Sequence, residues 1–516
     1  MPSLRRPRGL RELIPFAGAL VSFAVFLTAL RVWEGPCGYD VYYYALQIKS
    51  LTRSGELLFF DASIVYYVLY LINGLIKNPV LSVQLLSSLS MAAIFGCLLR
   101  MSLYRGFSFY RTAAAGIAVF NPAVFYLLLE FTKNSFALAL FFLSLLLLDE
   151  GAGRGRHSFR SFTFLPDFIN RKTIPGIFFG LLAVFSHRII LAFAVPFFLH
   201  RIAAGLWTER RFRRPLVIGV AAVILLGLLA FLFRRDFFFE RMPPLDLQAP
   251  LLRLLQFRSR RLWPEERVFY TLLQIFLFFA VPLTVIRRPL APSSLFGFLA
   301  WLCVFPFLRF SWDGTAFRLL IMAPLFAAPW LMDRFRDRPM RRLKLFSGAA
   351  GVLMAAGCVV FTAGALQRLT TKGPGYDLYR RELGAMETLA AGRRVIAHRG
   401  LAGFLWYEKG VRSENFIPPE EEGEYLRLVY FFSPTVFEPY LRNGEERPLA
   451  LGGAYTLIED SVWRRFYQDR RDLAFLRSEL NPYLPRPASG FSINERAASL
   501  MGSGESPRTS GGNEPP

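Results

Sequence analysis

Three kinds of side chain in this sequence could do chemistry: isolated carboxylates, isolated cations beside apolar runs, and one dense arginine stretch. Asp40 opens a helical pattern that runs to about Arg53, with Gly55 just past its end. Its carboxylate has two compatible roles: capping that helix by accepting amide hydrogen bonds, or acting as a base at the water–lipid boundary. Asp61 is a second acid in the same loop; its bland role is to start the apolar segment 63–77. Glu130, Lys133 and Asn134 fall at a turn between apolar runs, either facing a ligand or forming an i,i+3 Glu–Lys pair. His187 and Arg188 interrupt the apolar stretch 173–206. A lone histidine there is either a polar turn residue or a ligand, and no second histidine lies at ligand spacing. Arg188 could equally snorkel to an interface. Arg318 lies just inside an apolar run that Asp313 precedes. An ionisable group at that depth is expensive unless it faces a wet cavity or a partner, so it marks either function or a structural Asp313–Arg318 pair. Within 234–267 stand Arg234, Arg235, Arg241, Arg253, Arg258, Arg260, Arg261 and Arg267. Arg258, Arg260 and Arg261 are the leading candidates there for binding phosphate, set against general attraction to anionic lipid headgroups.

The elements that must position these groups are membrane helices. Of 516 residues, 53% are hydrophobic and 19% charged. Apolar runs of about 20 residues, each long enough to cross a bilayer core, recur between 13 and 366. Fully soluble, disordered and disulfide-stapled classes are excluded. The net charge of +23 resides in 1–366, which holds 41 basic and 18 acidic residues; 367–516 holds 20 of each. This charge sits in short loops between apolar runs, where it sets orientation, and not on a soluble face of the kind nucleic acid needs. Cys97, Cys303 and Cys358 lie inside apolar runs and Cys37 stands alone, so neither disulfides nor a paired-cysteine metal site is legible. Arg5, Arg6 and Arg8 precede the first apolar run without a small-residue cleavage site, which reads as a retained anchor.

The expected spans are 12–33, 80–99, 111–129, 133–149, 215–233, 268–286, 293–310, 316–332 and 344–366, with 173–206 crossing twice. Segment 63–77 is too short and reads as interfacial or re-entrant. With those two assignments, five basic loops share the side of the N-terminus. They contain Arg100, Arg105 and Arg111; Arg154 to Lys172; Arg210 to Arg214; Arg287 and Arg288; and Arg334 to Lys344. The expectation is eleven transmembrane helices, a cytoplasmic N-terminus and an external C-terminus. Loop 234–267 is then external against the charge rule. After 366 the pattern changes: 393–397, 425–432 and 454–458 read as strands and 400–409 as a helix. A small α/β domain is expected over 367–485, followed by a disordered Ser/Gly/Pro-rich tail, 486–516.

Gly38-Tyr39-Asp40, Tyr43-Tyr44, Ile48 and Gly55-Glu56-Leu57 in the first external loop (34–62, or 34–79 with its juxtamembrane helices) resemble the GT-C superfamily. These are polyprenyl-phosphate-dependent integral-membrane glycosyltransferases, including the protein O-mannosyltransferases and bacterial aminoarabinose transferases. The layout is also similar: one span, a long loop with juxtamembrane helices, paired helices and an external C-terminal domain. The resemblance implies a GT-C-like catalytic domain over 1–366 in a bacterial cytoplasmic membrane, acting on a lipid-phosphate-linked sugar. It implies Asp40 as the base of an inverting transfer to a glycan, lipid or protein acceptor outside the cytoplasm. It also implies that Glu130 faces the sugar and that the cation at Arg318 contacts the donor phosphate. Asp61 is its reserve acid, and His187, Arg188, Lys133 and Asp313 complete the candidate site. Asp40 lacks the adjacent acidic residue of the O-mannosyltransferases, which leaves use of a divalent metal open. Other readings are a lipid-linked sugar transporter or flippase, a surface-polysaccharide polymerase, and a non-catalytic envelope scaffold. A transporter predicts repeated halves and ionisable groups near the midplane, whereas this sequence collects its charge at one set of helix tips.

Overall fold

The computed structural model of the chain describes residues 8–31, 40–58, 61–104, 109–121, 124–129, 131–153, 173–208, 264–287, 292–304, 313–334, 383–390, 392–397, 399–414, 425–430, 433–451 and 455–469. The expected spans 215–233 and 344–366, Cys37, Cys358, loop 234–263 and the tail 486–516 lie outside them. The chain divides into two compact units, Met1–Pro374 and Gly375–Pro516. The first is helical and the second holds a small sheet.

The helices of the first unit are α1 (Arg8–Arg31), α2 (Asp40–Ser54), α3 (Val65–Ile76), α4 (Pro79–Tyr104), α5 (Phe109–Val119), α6 (Val124–Leu129) and α7 (Thr132–Gly153). They continue with α8 (Thr173–Ser186), α9 (Leu191–Thr208), α10 (Pro264–Arg287), α11 (Pro292–Val304) and α12 (Asp313–Arg334). Two stretches, Leu13–Arg31 and Pro79–Leu103, are long and apolar enough to cross a bilayer by length and composition. Among the described residues the other apolar helices are shorter. The stretch 111–129 is not one helix as expected. Backbone helix stops at Val119 and resumes at Val124, and Pro122 lies in the interruption. Proline lacks the amide that a helix interior needs and disfavours helical dihedrals at the residue before it. The stretch 173–206 breaks at His187, whose backbone is extended (φ −158°, ψ 123°). Segment α3 has 12 residues, roughly 18 Å of helix, well short of a bilayer core.

Helix α4 is the hub, packed against α1, α2, α3, α5 and α7. Close approach between helices relies on small residues. Gly176 and Gly180 on α8 meet α7 so tightly that a Cβ at Gly176 would lie 2.8 Å from Leu148. At the same contact Ser144 donates 2.6 Å to the Gly176 carbonyl. Near the described ends of three helices, side chains of neighbouring helices donate to backbone carbonyls. Gln84 donates to the Leu30 carbonyl (3.2 Å), Gln274 to that of Val304 (3.0 Å) and the Arg111 Nε to that of Met332 (3.1 Å). Arg111 was expected among the loop charges. Its side chain is instead buried, fixing α5 to the end of α12.

In the second unit five strands run in the order β2-β1-β3-β5-β4: β1 (Arg394–Ile396), β2 (Ser413–Glu414), β3 (Tyr425–Tyr430), β4 (Leu449–Leu451) and β5 (Tyr455–Glu459). β1 pairs parallel with β2 and β3, and β5 pairs antiparallel with β3 and β4. Three of these strands and the helix Arg399–Lys409 fall where alternation places them. Strands β2 and β4, with two and three residues, are too short to show a period. Val429, Phe437, Ile458, Val462, Trp463 and Phe466 form one apolar core between the sheet and the helix Asp460–Asp469.

Candidate functional site

Helix α2 starts at Asp40 and ends at Ser54. Gly55 (φ +76°) stops it by donating its amide 3.1 Å to the Leu51 carbonyl. Asp40 therefore occupies the first turn, where the helix dipole favours a carboxylate, and it is 5% exposed. One turn further on, Tyr43 and Tyr44 meet Tyr66 of α3 with ring centroids 6.5 and 5.8 Å apart. Val41, Tyr44, Ile48, Val65, Tyr66 and Leu69 pack with Val83 and Leu86 of α4, which fixes both loop helices on the bundle.

Tyr66 leads into a polar cluster. Its hydroxyl donates 3.0 Å to Asp61 Oδ2, the oxygen that also forms the ion pair with Lys133 at the start of α7. Asp61 Oδ1 accepts the Ser63 amide at 3.1 Å, an Asx turn. The Ser63 hydroxyl donates 2.6 Å to the Ser186 carbonyl, the last residue of α8. Partial burial would raise the Asp61 pKa. The hydrogen bond and charge of Lys133, with the Tyr66 and Ser63 hydrogen bonds, outweigh burial and hold the group below the ordinary carboxylate value. Lys133 also lies 5.4 Å from the Tyr66 ring centroid.

His187 follows Ser186 and makes the turn into α9. Its Nδ1 accepts the Ile189 amide at 3.1 Å. Burial, then the charges of Lys133, Arg318 and Arg188, push its pKa down to about 3, with Asp61 opposing. The ring is therefore neutral. With Nδ1 used as acceptor, its proton sits on Nε2, which makes that nitrogen a donor. Arg318 on α12 places its guanidinium 4.4 Å from the Phe131 ring centroid. Its Nε is buried with no hydrogen-bond partner among the described residues, and the same is true of Nδ2 of Asn134, itself 1% exposed.

Asp61, Lys133, His187, Arg188 and Arg318, picked from separate turns of the sequence, thus act on one another. Among the described residues, Lys133 pairs with Asp61 and the charges of Lys133, Arg318 and Arg188 bear on His187, while Arg318 Nε and the neighbouring Asn134 Nδ2 have no acceptor. A phosphate group, which carries one negative charge as a diester and close to two as a monoester, would supply both charge and acceptors. Asp40 shares α2 with Tyr43 and Tyr44, whose rings meet Tyr66 at the edge of the cluster. Helix α12 begins at Asp313, whose side chain lies outside the described residues, as do Glu130, Arg258, Arg260 and Arg261. Among the described residues Lys133 pairs with Asp61, 72 residues away. Tyr66, Ser63 and Phe131 were not among the expected site residues. The spacing Asp61-x-Ser63 is an Asx-turn signal that the sequence did carry. Among the described residues no three His, Cys, Asp or Glu side chains gather as a metal-holding group.

No known protein-family model matches the chain, and no curated protein is significantly similar to it in sequence.

Proposed function

We propose that the chain is a multi-pass membrane glycosyltransferase of the GT-C kind. It transfers a sugar from a polyprenyl-phosphate donor to an acceptor outside the cytoplasm. The observation that supports the reading is the gathering, among the described residues, of Lys133, Arg188 and Arg318 about His187, with Asp61 of the first loop paired to Lys133. In this reading the N-terminus is cytoplasmic, about eleven helices cross the membrane, and the second unit lies outside.

Asp40 is the base. As the acceptor hydroxyl attacks the anomeric carbon, the carboxylate takes its proton. The bond from that carbon to the phosphate oxygen breaks with inversion, and the lipid phosphate departs as an anion that needs no separate acid. Arg318, Lys133 and Arg188 offset the charge that grows on the phosphate, and the His187 Nε2–H donates to it. Asp61 holds Lys133 in place. Arg258, Arg260 and Arg261 draw the headgroup in from the outer leaflet.

The test uses membrane vesicles holding the full chain and a panel of radiolabelled polyprenyl-phosphate sugars. Transfer by the wild type that falls at least 100-fold in Asp40→Asn, with normal expression and insertion, is the expected result. Unchanged transfer in Asp40→Asn overturns the assignment of the base. Sugar movement across the bilayer without any new glycosidic bond supports a transporter instead.

A further inference from the structure

Helix α2 carries a buried amide that the proposed reaction leaves idle. Gln47 lies roughly two turns after Asp40, wholly buried, and its Nε2 donates 3.1 Å to the Tyr43 hydroxyl one turn back on the same face. The Tyr43 and Tyr66 hydroxyls are hydrogen-bonded to each other, which ties α2 to α3. Tyr66 donates 3.0 Å to Asp61 Oδ2, the oxygen that pairs with Lys133 of α7. Gln47, Tyr43, Tyr66, Asp61 and Lys133 thus form one chain.

The acceptor end fixes where every proton in the chain sits. An ionised carboxylate accepts and never donates, so the Tyr66 proton points to Asp61. The bond between the two tyrosines must then use the Tyr43 proton. With that proton spent, Tyr43 can only accept from Gln47, which turns the amide nitrogen and not its oxygen towards the ring. Every donor therefore points towards Asp61. Hydrogen bonds aligned in this way polarise one another, so Gln47 and Tyr43 strengthen the last link, the one that holds the carboxylate against Lys133.

We propose that Gln47 and Tyr43 are positioning residues for the Lys133 ammonium, acting through Tyr66 and Asp61. What Lys133 then does, offsetting the charge that grows on the departing phosphate, rests on the glycosyltransferase reading. The chain and its direction do not.

Gln47→Glu tests it, because it keeps the size of the side chain and replaces a donor with an acceptor. At pH 9, where the introduced carboxyl is ionised, it claims the Tyr43 proton and the link to Tyr66 loses its donor. Asp61→Asn places an amide at the other end, able to donate to Tyr66, so the double variant can run the whole chain backwards. Unfolding of the full chain in mixed micelles at pH 9 measures the wild type, both single variants and the double variant. Gln47→Glu should lower the folded-to-unfolded ratio about tenfold more in the wild-type background than in the Asp61→Asn background. Equal losses in the two backgrounds overturn the proposal. In the vesicle transfer assay Gln47→Glu should lower kcat and kcat/KM together, about tenfold, as expected for a group felt in the transition state. Unchanged kcat beside a coupled unfolding cycle leaves the chain without a positioning role and also overturns the proposal. A wild type inactive towards every donor sinks the glycosyltransferase reading alone, and the unfolding cycle still decides whether Gln47 acts on Asp61.

Discussion

His187 gives the most direct quantitative check on the polar cluster. In the folded protein its pKa stands at about 3, because burial and the charges of Lys133, Arg318 and Arg188 penalise the imidazolium. In the unfolded chain it returns to about 6.5. The group is depressed on folding, so its contribution is fully present above pH 6.5 and is lost as pH falls towards 3. Between those limits the unfolded chain carries the proton and the folded one does not. Each pH unit then costs about 1.36 kcal/mol, so lowering the pH from 7 to 5 removes about 2 kcal/mol through this residue. In His187→Gln the amide oxygen can still accept the Ile189 N–H, so the turn keeps its cap while the titration disappears. Reversible unfolding in mixed micelles, with denaturing detergent titrated at pH 7, 6 and 5, measures both proteins. Asp61 stays ionised throughout this range in both, since its folded pKa lies below the ordinary carboxylate value. The wild type should lose about 2 kcal/mol more than the variant between pH 7 and 5. Parallel pH profiles would refute the placement of a buried neutral imidazole among these cations.

Two further outcomes follow from the same packing. Lys133→Met leaves the half-buried Asp61 carboxylate with only the Tyr66 and Ser63 hydrogen bonds, and should cost roughly 2 kcal/mol. Adding Asp61→Asn should recover much of that in a double-mutant cycle, whereas additive losses would show that the pair does not interact. Gly176→Val puts side-chain carbon into space already taken by Leu148 and should destabilise by about 1–3 kcal/mol, read as a lower midpoint in the same unfolding assay. A midpoint equal to that of the wild type would mean that α7 and α8 do not pack at this distance.

Much of the local structure was legible because its causes are local. Asp40 as the start of α2 and Gly55 as its stop follow from capping preference and from glycine's tolerance of positive φ. The shortness of 63–77 and the break at His187 are visible in the length and interruption of apolar runs. The interruption at Pro122 was equally present in the sequence, yet the hydrophobicity of 111–129 concealed it. A run can be apolar enough to cross without its backbone continuing as a helix.

The assembly of the cluster was not legible. Lys133 has an acid three residues before it, and the pairing preference of helices favours that neighbour. The ion pair of Lys133 with Asp61, 72 residues distant, has no local signal; it forms because the packing of α2 and α3 on α4 brings their loop to the start of α7. Arg111 counts as one more loop charge in any reading of sidedness, and only the end of α12 beside it turns that charge into a buried clasp. Sequence by itself determined the apolar runs, the turn chemistry and the strand alternation, since periodicity and backbone propensity act over a few residues. The tertiary structure alone decided which helix tips meet, because each such contact is a choice among distant partners made by packing the whole bundle.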